Sequence, residues 1–166
     1  MKKLMMLGTL PLAIATLVSG CGGGGGDDAG ERVGFLTITS ASASDLDGSY
    51  GEGSANVTEV VKLAATGADP EVCSFGFSGA DRIGGSGTAA GDVRYQPNAD
   101  SVYRIRLTVR GRDFSTGNAD GSDTDIHHSR DIIELSRKRL TATDGSGDTL
   151  RATGLIPMRG GRPAGC

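Results

Sequence analysis

Tyr103-Arg104-Ile105-Arg106-Leu107-Thr108-Val109-Arg110 alternates apolar and polar side chains without a break. In an extended chain, Tyr103, Ile105, Leu107 and Val109 fall on one face, and Arg104, Arg106, Thr108 and Arg110 on the other. A helix would scatter the same residues around its axis. One packed face and one wet face is the pattern of a strand in an antiparallel sheet.

The same period recurs on either side. In Cys73-Ser74-Phe75-Gly76-Phe77-Ser78 the large residues share one face, which puts Cys73 beside two core aromatics. Leu140 to Thr143 and Thr149 to Thr153 flank Asp144-Gly145-Ser146-Gly147-Asp148, a loop whose Asp-Gly chemistry tolerates positive φ and so marks a hairpin. Further strands are expected at Gly34 to Ser40, Gly91 to Gln96, Asp131 to Ser136 and Leu155 to Met158. One segment reads both ways. Asn56 to Gly67 offers an N-cap, a capping-box Glu59 and a stripe of Val57, Val60, Val61, Ala64 and Ala65. It equally offers a strand that pairs with Val72 to Phe77 across Ala68-Asp69-Pro70. The three valines favour the strand. Short strands separated by glycine-rich turns imply an all-β domain, a small antiparallel β-sandwich or alternatively a β-barrel, with one short helix near 56–66 as the remaining option.

Composition narrows the function. The chain has 17 basic and 20 acidic residues, a net charge of −3, so a nucleic-acid partner is not indicated. The first half beyond the N-terminal segment is acidic and the second half basic, with arginines placed on strand surfaces. There is no Trp, and Tyr and Phe together are few, while glycine reaches 28 of 166 residues. The core is therefore lean in large side chains, and no run of aromatics offers the stacking surface that sugars or single strands use.

The N-terminus has a different character. Met1-Lys2-Lys3 is basic, and Leu4 to Val18 carries no charge but is too short for a bilayer, which needs about 20 apolar residues. A basic start, a short apolar stretch and small residues before a cut site describe an export signal. The cut site, Leu17-Val18-Ser19-Gly20-Cys21, resembles the lipobox of bacterial lipoproteins. The resemblance covers residues 1–21. It implies diacylglycerol on the Cys21 sulfur, removal of residues 1–20 and acylation of the new amine. Gly22 stands where the enteric members place Asp for inner-membrane retention, so the resemblance implies a lipid anchor in the cell outer membrane. Gly22 to Gly26 are consecutive glycines. Residues 21–32 are read as lipidated cysteine and flexible tether, spanning roughly 18 Å, and residues 33–166 as a single β domain.

With Cys21 used by lipid, Cys73 and Cys166 remain in an oxidising compartment. An internal disulfide between them is expected; an intermolecular bridge and free thiols are the alternatives. It would close most of the domain into one loop and pin the last residue.

Catalytic and metal-binding patterns are sparse. Asn118, Asp120, Asp123 and Asp125 bunch oxygens in the polar stretch Thr116 to His128, as a calcium loop does, but the order departs from the EF-hand. His127-His128 could add nitrogen ligands only if the backbone were irregular. No nucleophile elbow or dinucleotide fingerprint has the required flanks. Ser136-Arg137-Lys138-Arg139 reads as a basic, solvated turn that could touch phospholipid headgroups or lipopolysaccharide phosphates. The expectation is a non-enzymatic interaction module with no cofactor, bound to membrane through its anchor and to an envelope protein partner. A small apolar-ligand carrier with a barrel cavity comes second, and a hydrolase third.

Overall fold

The computed structural model describes residues 31–32, 35–51 and 55–166. The signal peptide, Cys21 and the glycine run lie outside the described residues. The described residues fold as one antiparallel sheet of twelve strands. In chain order they are β1 Glu31–Arg32, β2 Phe35–Thr39, β3 Gly48–Tyr50, β4 Ala55–Val57, β5 Val61–Leu63, β6 Val72–Asp81, β7 Thr88–Tyr95, β8 Val102–Val109, β9 Arg112–Ser115, β10 Thr124–His127, β11 Ile132–Ala142 and β12 Thr149–Pro157. Among the described residues no helix is long and apolar enough to cross a membrane.

The all-β antiparallel fold is as expected. Strand order runs β1-β4-β6-β7-β8-β9-β11-β12-β2-β3, with β5 beside β6 and β10 beside β11. The sheet curls until it meets itself. Gly51 N–H donates to the Asp81 carbonyl at 2.8 Å, and Ile83 N–H to the Ser49 carbonyl at 2.8 Å, joining the end of β3 to the end of β6. Curling is the physical answer to exposed strand edges, because backbone groups at a free edge have no partner. The result is a strongly curled antiparallel sheet, barrel-like where residues 49–51 meet residues 81–83.

Period two decides what faces inward. Ile105, Leu107 and Val109 of β8 are buried, while Arg106 between them is exposed. Arg110 is not part of the strand. It forms, with Gly111, the two-residue turn between Val109 and Arg112, and both turn residues have positive φ, 50° and 79°. That is the primed turn whose twist matches paired strands. The chain then returns as β9, an element the sequence reading missed.

The helix option near 56–66 is not realised. Asn56 caps nothing; it pairs with Ser78, and Val57 with Phe77. After a short break Val61, Lys62 and Leu63 pair with Ser74, Cys73 and Val72. Two stretches thus line one side of β6, because β-branched valines fit a pleated surface better than a helix. Glu31 and Arg32, assigned to the tether, pair with Asn56 and Ala55 instead. The hairpin at 140–153 forms with Leu140 opposite Leu150 and Thr141 opposite Thr149. β12 then runs on without interruption to Pro157, absorbing the separate strand expected at Leu155 to Met158.

The interior is filled. Phe114, Ile105, Leu107, Ile133, Leu135, Leu140 and Leu150 are at most 1% exposed. A Cβ on Gly91 would come within 2.6 Å of the Phe77 ring and 2.8 Å of the Arg106 carbonyl, so the ring occupies the space a side chain would need. The two buried tyrosines keep their hydroxyls bonded: Tyr50 to the Leu46 carbonyl at 2.8 Å and Tyr95 to the Cys166 carbonyl at 2.7 Å. Burial raises both phenols above the ordinary tyrosine range, the nearby Arg82 and Arg162 opposing it.

Cys73 and Cys166 form a disulfide with Cα atoms 5.7 Å apart and a sequence separation of 93. Gly165 accepts from Asn98 N–H at 2.7 Å, so the C-terminal residues are tied to β6 by the bridge and to the β7–β8 loop by this bond. Reduction, or Cys73→Ser with Cys166→Ser, is expected to lower stability by about 4 kcal/mol from loop entropy alone. Urea unfolding with and without reductant measures this; coincident midpoints would mean that the bridge adds nothing.

Candidate functional site

The most unusual group in the molecule is a buried charge. Lys138 is 1% exposed. An isolated ammonium in an apolar interior is strongly unfavourable unless it is paired and hydrogen-bonded. Its position follows from β11. Ile133 and Leu135 face inward, and so does Leu140, but an odd number of positions separates Leu135 from Leu140. A regular strand cannot point both the same way. The ladder with β12 therefore slips between Leu135 and Lys138. Arg137 at this bulge takes φ 62°, and its N–H bonds to Thr153 Oγ1 at 3.1 Å instead of continuing the ladder. Beyond the bulge Lys138 falls in phase with Leu140 and turns inward. The expected solvated basic turn at 136–139 is thus corrected: it is strand, and its lysine is inside.

The loop between β9 and β10 closes over the ammonium. Two buried threonines fix its ends. Thr116 Oγ1 accepts from Ile105 N–H at 3.0 Å, and Thr124 Oγ1 accepts from Val102 N–H at 3.2 Å while donating to the Gly121 carbonyl at 2.7 Å. Between these posts, Lys138 Nζ donates to the Asp120 carbonyl at 2.9 Å, the Ser122 carbonyl at 2.8 Å and Ser122 Oγ at 3.1 Å. It also lies 2.7 Å from Asp120 Oδ1. Ser122 Oγ–H donates to that same carboxylate oxygen at 2.7 Å. The bond from Lys138, then that from Ser122, holds the Asp120 carboxyl below the usual carboxylate range.

This is the loop in which the sequence bunched oxygens. It does surround a cation, but the cation is the chain's own. Of the residues considered for calcium, Asp120 meets Lys138. Asn118 Oδ1 accepts from Arg104 at 3.4 Å, and the Arg104 Nε is buried without a partner. Asp123 and Asp125 are exposed, Asp123 in a left-handed turn whose carbonyl accepts from Ser136 N–H at 2.9 Å. Among the described residues no three His, Cys, Asp or Glu side chains gather as a metal site would need. The histidines separate: His127 Nε2 lies 2.9 Å from Glu134 and His128 Nε2 lies 3.0 Å from the Ala99 carbonyl. Neither bonds a serine, threonine or cysteine among the described residues.

A cleft of about 510 Å³ lies over Gly91, floored by Phe77, Leu107 and Phe114 and edged by Asp92, Arg106 and Asp113. An apolar crevice of about 10 Å³ lies between Leu36, Tyr50, Phe77, Ala80, Ile156 and the exposed Leu155.

Replacing Lys138 by Met keeps the length of the side chain but strands the Asp120 and Ser122 carbonyls. It should cost about 3 kcal/mol, the scale for breaking a buried pair. Asp120→Asn leaves the buried ammonium with only neutral oxygens and should cost about 2 kcal/mol or more. The ionised carboxyl favours the fold, so its contribution is full above about pH 4 and fades as pH falls through the lowered folded value. Acid titration of urea midpoints should show that loss in the wild type and not in Asp120→Asn. Equal midpoints for Lys138→Met and the wild type would contradict the pairing.

No protein-family model matches the chain, and no curated protein or solved structure matches it either, so its function has to be read from its own residues.

Proposed function

We propose that the chain is a lipoprotein whose lipidated Cys21 holds a rigid, non-catalytic β domain at the outer membrane, where it binds another envelope component through its outer surface. The observation that carries the choice among functions is the packed core, in which Ile105, Leu107, Phe114, Ile133, Leu135, Leu140 and Leu150 are at most 1% exposed. The cleft of about 510 Å³ beside Phe77, Leu107 and Phe114 opens to solvent between Asp92, Arg106 and Asp113. A carrier of small apolar ligands needs several hundred Å³ enclosed by apolar walls. This weighs against the carrier, and the bonding of both histidines away from any nucleophile weighs against the hydrolase. What remains is the surface of a barrel built to stay rigid. The Cys73–Cys166 bridge is in keeping with an oxidising compartment. The lipobox supplies the address.

Cys21→Ser should move the protein from the membrane fraction to the soluble fraction, and proximity crosslinking in intact envelopes should recover an envelope protein with the wild type that the released variant loses. Cys21→Ser remaining in the membrane fraction would remove the anchor from this reading.

A further inference from the structure

The bulge that sends Lys138 inward leaves Arg137 and Arg139 outside. Arg139 lies directly opposite Arg151 in the β11–β12 ladder. Arg151 Nη1 donates to the Arg137 carbonyl at 3.2 Å, which draws its guanidinium toward the same spot. Like charges directly opposed across a ladder destabilise a sheet. Here no carboxylate offsets them among the described residues. Acids on these strands and their hairpin are engaged elsewhere: Glu134 with His127 at 2.9 Å, and Asp148 with Arg112 at 2.8 Å.

A second opposed pair shows the difference. Arg94 lies opposite Arg104, but Asp92 sits 3.1 Å from Arg94 and directly opposite Arg106. Asp92 offsets part of that group's charge; no carboxylate is paired with the group on β11 and β12 among the described residues. The neighbours of Arg139 and Arg151 are hydroxyls. Thr39 of β2 lies opposite Arg151, and Thr141 and Thr149 form the next outward-facing pair. Clustered guanidinium groups ringed by threonine hydroxyls, without carboxylates, form a donor surface matched to phosphate oxygens.

We propose that Arg137, Arg139 and Arg151 form a docking face for the phosphate groups of an anionic membrane surface. The position of the chain's entry supports the membrane as the source. The tether ends where Glu31 joins the sheet, and the chain then runs through β2 to Thr39 beside Arg151, eight positions on and at most about 29 Å away. Glu31 is 10 positions after Cys21, a reach of at most about 36 Å. The face thus lies within the span that the anchored chain can cover, and a tether raises the local concentration of a weak contact. The choice of membrane rests on the anchor reading; the phosphate chemistry of the face does not.

The full chain carrying Cys21→Ser, which has no lipid, should sediment with phosphatidylcholine vesicles containing a third phosphatidylglycerol and stay in solution with phosphatidylcholine alone. Each arginine near an anionic surface contributes about a fivefold gain, so Arg139→Gln with Arg151→Gln should weaken binding about 25-fold. Arg94→Gln with Arg104→Gln should weaken it by no more than about fivefold, and circular dichroism checks that both variants are folded. Absence of binding to the anionic vesicles, or equal losses for the two folded double variants, would overturn the proposal. Release by millimolar inorganic phosphate would mark a soluble phosphate ligand and overturn the membrane assignment. Because the tested chain is unlipidated, none of these outcomes depends on whether Cys21 is acylated.

Discussion

A phase slip in β11 governs most of what is distinctive in this molecule. Leu135 and Leu140 both belong to the core, yet their spacing is odd. The strand must therefore gain a residue between them, and the bulge at Leu135/Lys138 supplies it. Three consequences follow from that one insertion. Lys138 is turned into the interior, where its charge needs oxygens. The 116–124 loop is drawn over to provide them. Arg137 and Arg139 are left on the outer face beside Arg151. A regular β11 would leave Leu140 and its hairpin facing water.

The cage also explains how a long polar loop becomes part of a rigid structure. Thr116 and Thr124 accept strand N–H groups at its two ends, so the loop begins and ends on β8. Asp120 and Ser122 then point four oxygens at one ammonium. With few aromatics available, the domain draws order from polar bonds and the Cys73–Cys166 bridge as well as from apolar burial. This fits a chain of high glycine content, whose turns lose much entropy on folding.

Much of the fold was legible in the sequence because period two leaves a plain trace. Tyr103 to Val109, Cys73 to Phe77 and the Asp-Gly hairpin at 140–153 needed only alternation and turn chemistry. The three valines of 56–67 outweighed a well-formed capping box, since they had β6 to pair with. Arg110-Gly111 hid a hairpin because the arginine continues the alternation of β8 in sequence while leaving it in space. The meeting of residues 49–51 with residues 81–83 left no trace, because strand closure is a non-local contact between ordinary residues. Lys138 was misplaced for a different reason. Four consecutive polar residues resemble a turn, yet the odd spacing of Leu135 and Leu140 already required a bulge, and Lys138 stands two residues before Leu140.

The same reasoning separates what oxygens near one another can mean. Asn118, Asp120, Asp123 and Asp125 bunch oxygens in sequence as a calcium loop does, though not in its order, whereas two backbone carbonyls and a serine hydroxyl do most of the binding of Lys138, and sequence cannot display backbone direction. The most direct test is nitrogen-15 NMR of the lysine side chains, with Lys62, about one-third exposed, as the internal reference. The Lys138 ammonium should give a resolved signal with slowly exchanging protons and couplings across its hydrogen bonds to residues 120 and 122. Exchange as fast as that of Lys62 would show the ammonium in water, and the bulge, the cage and the outward arginines would lose their common cause.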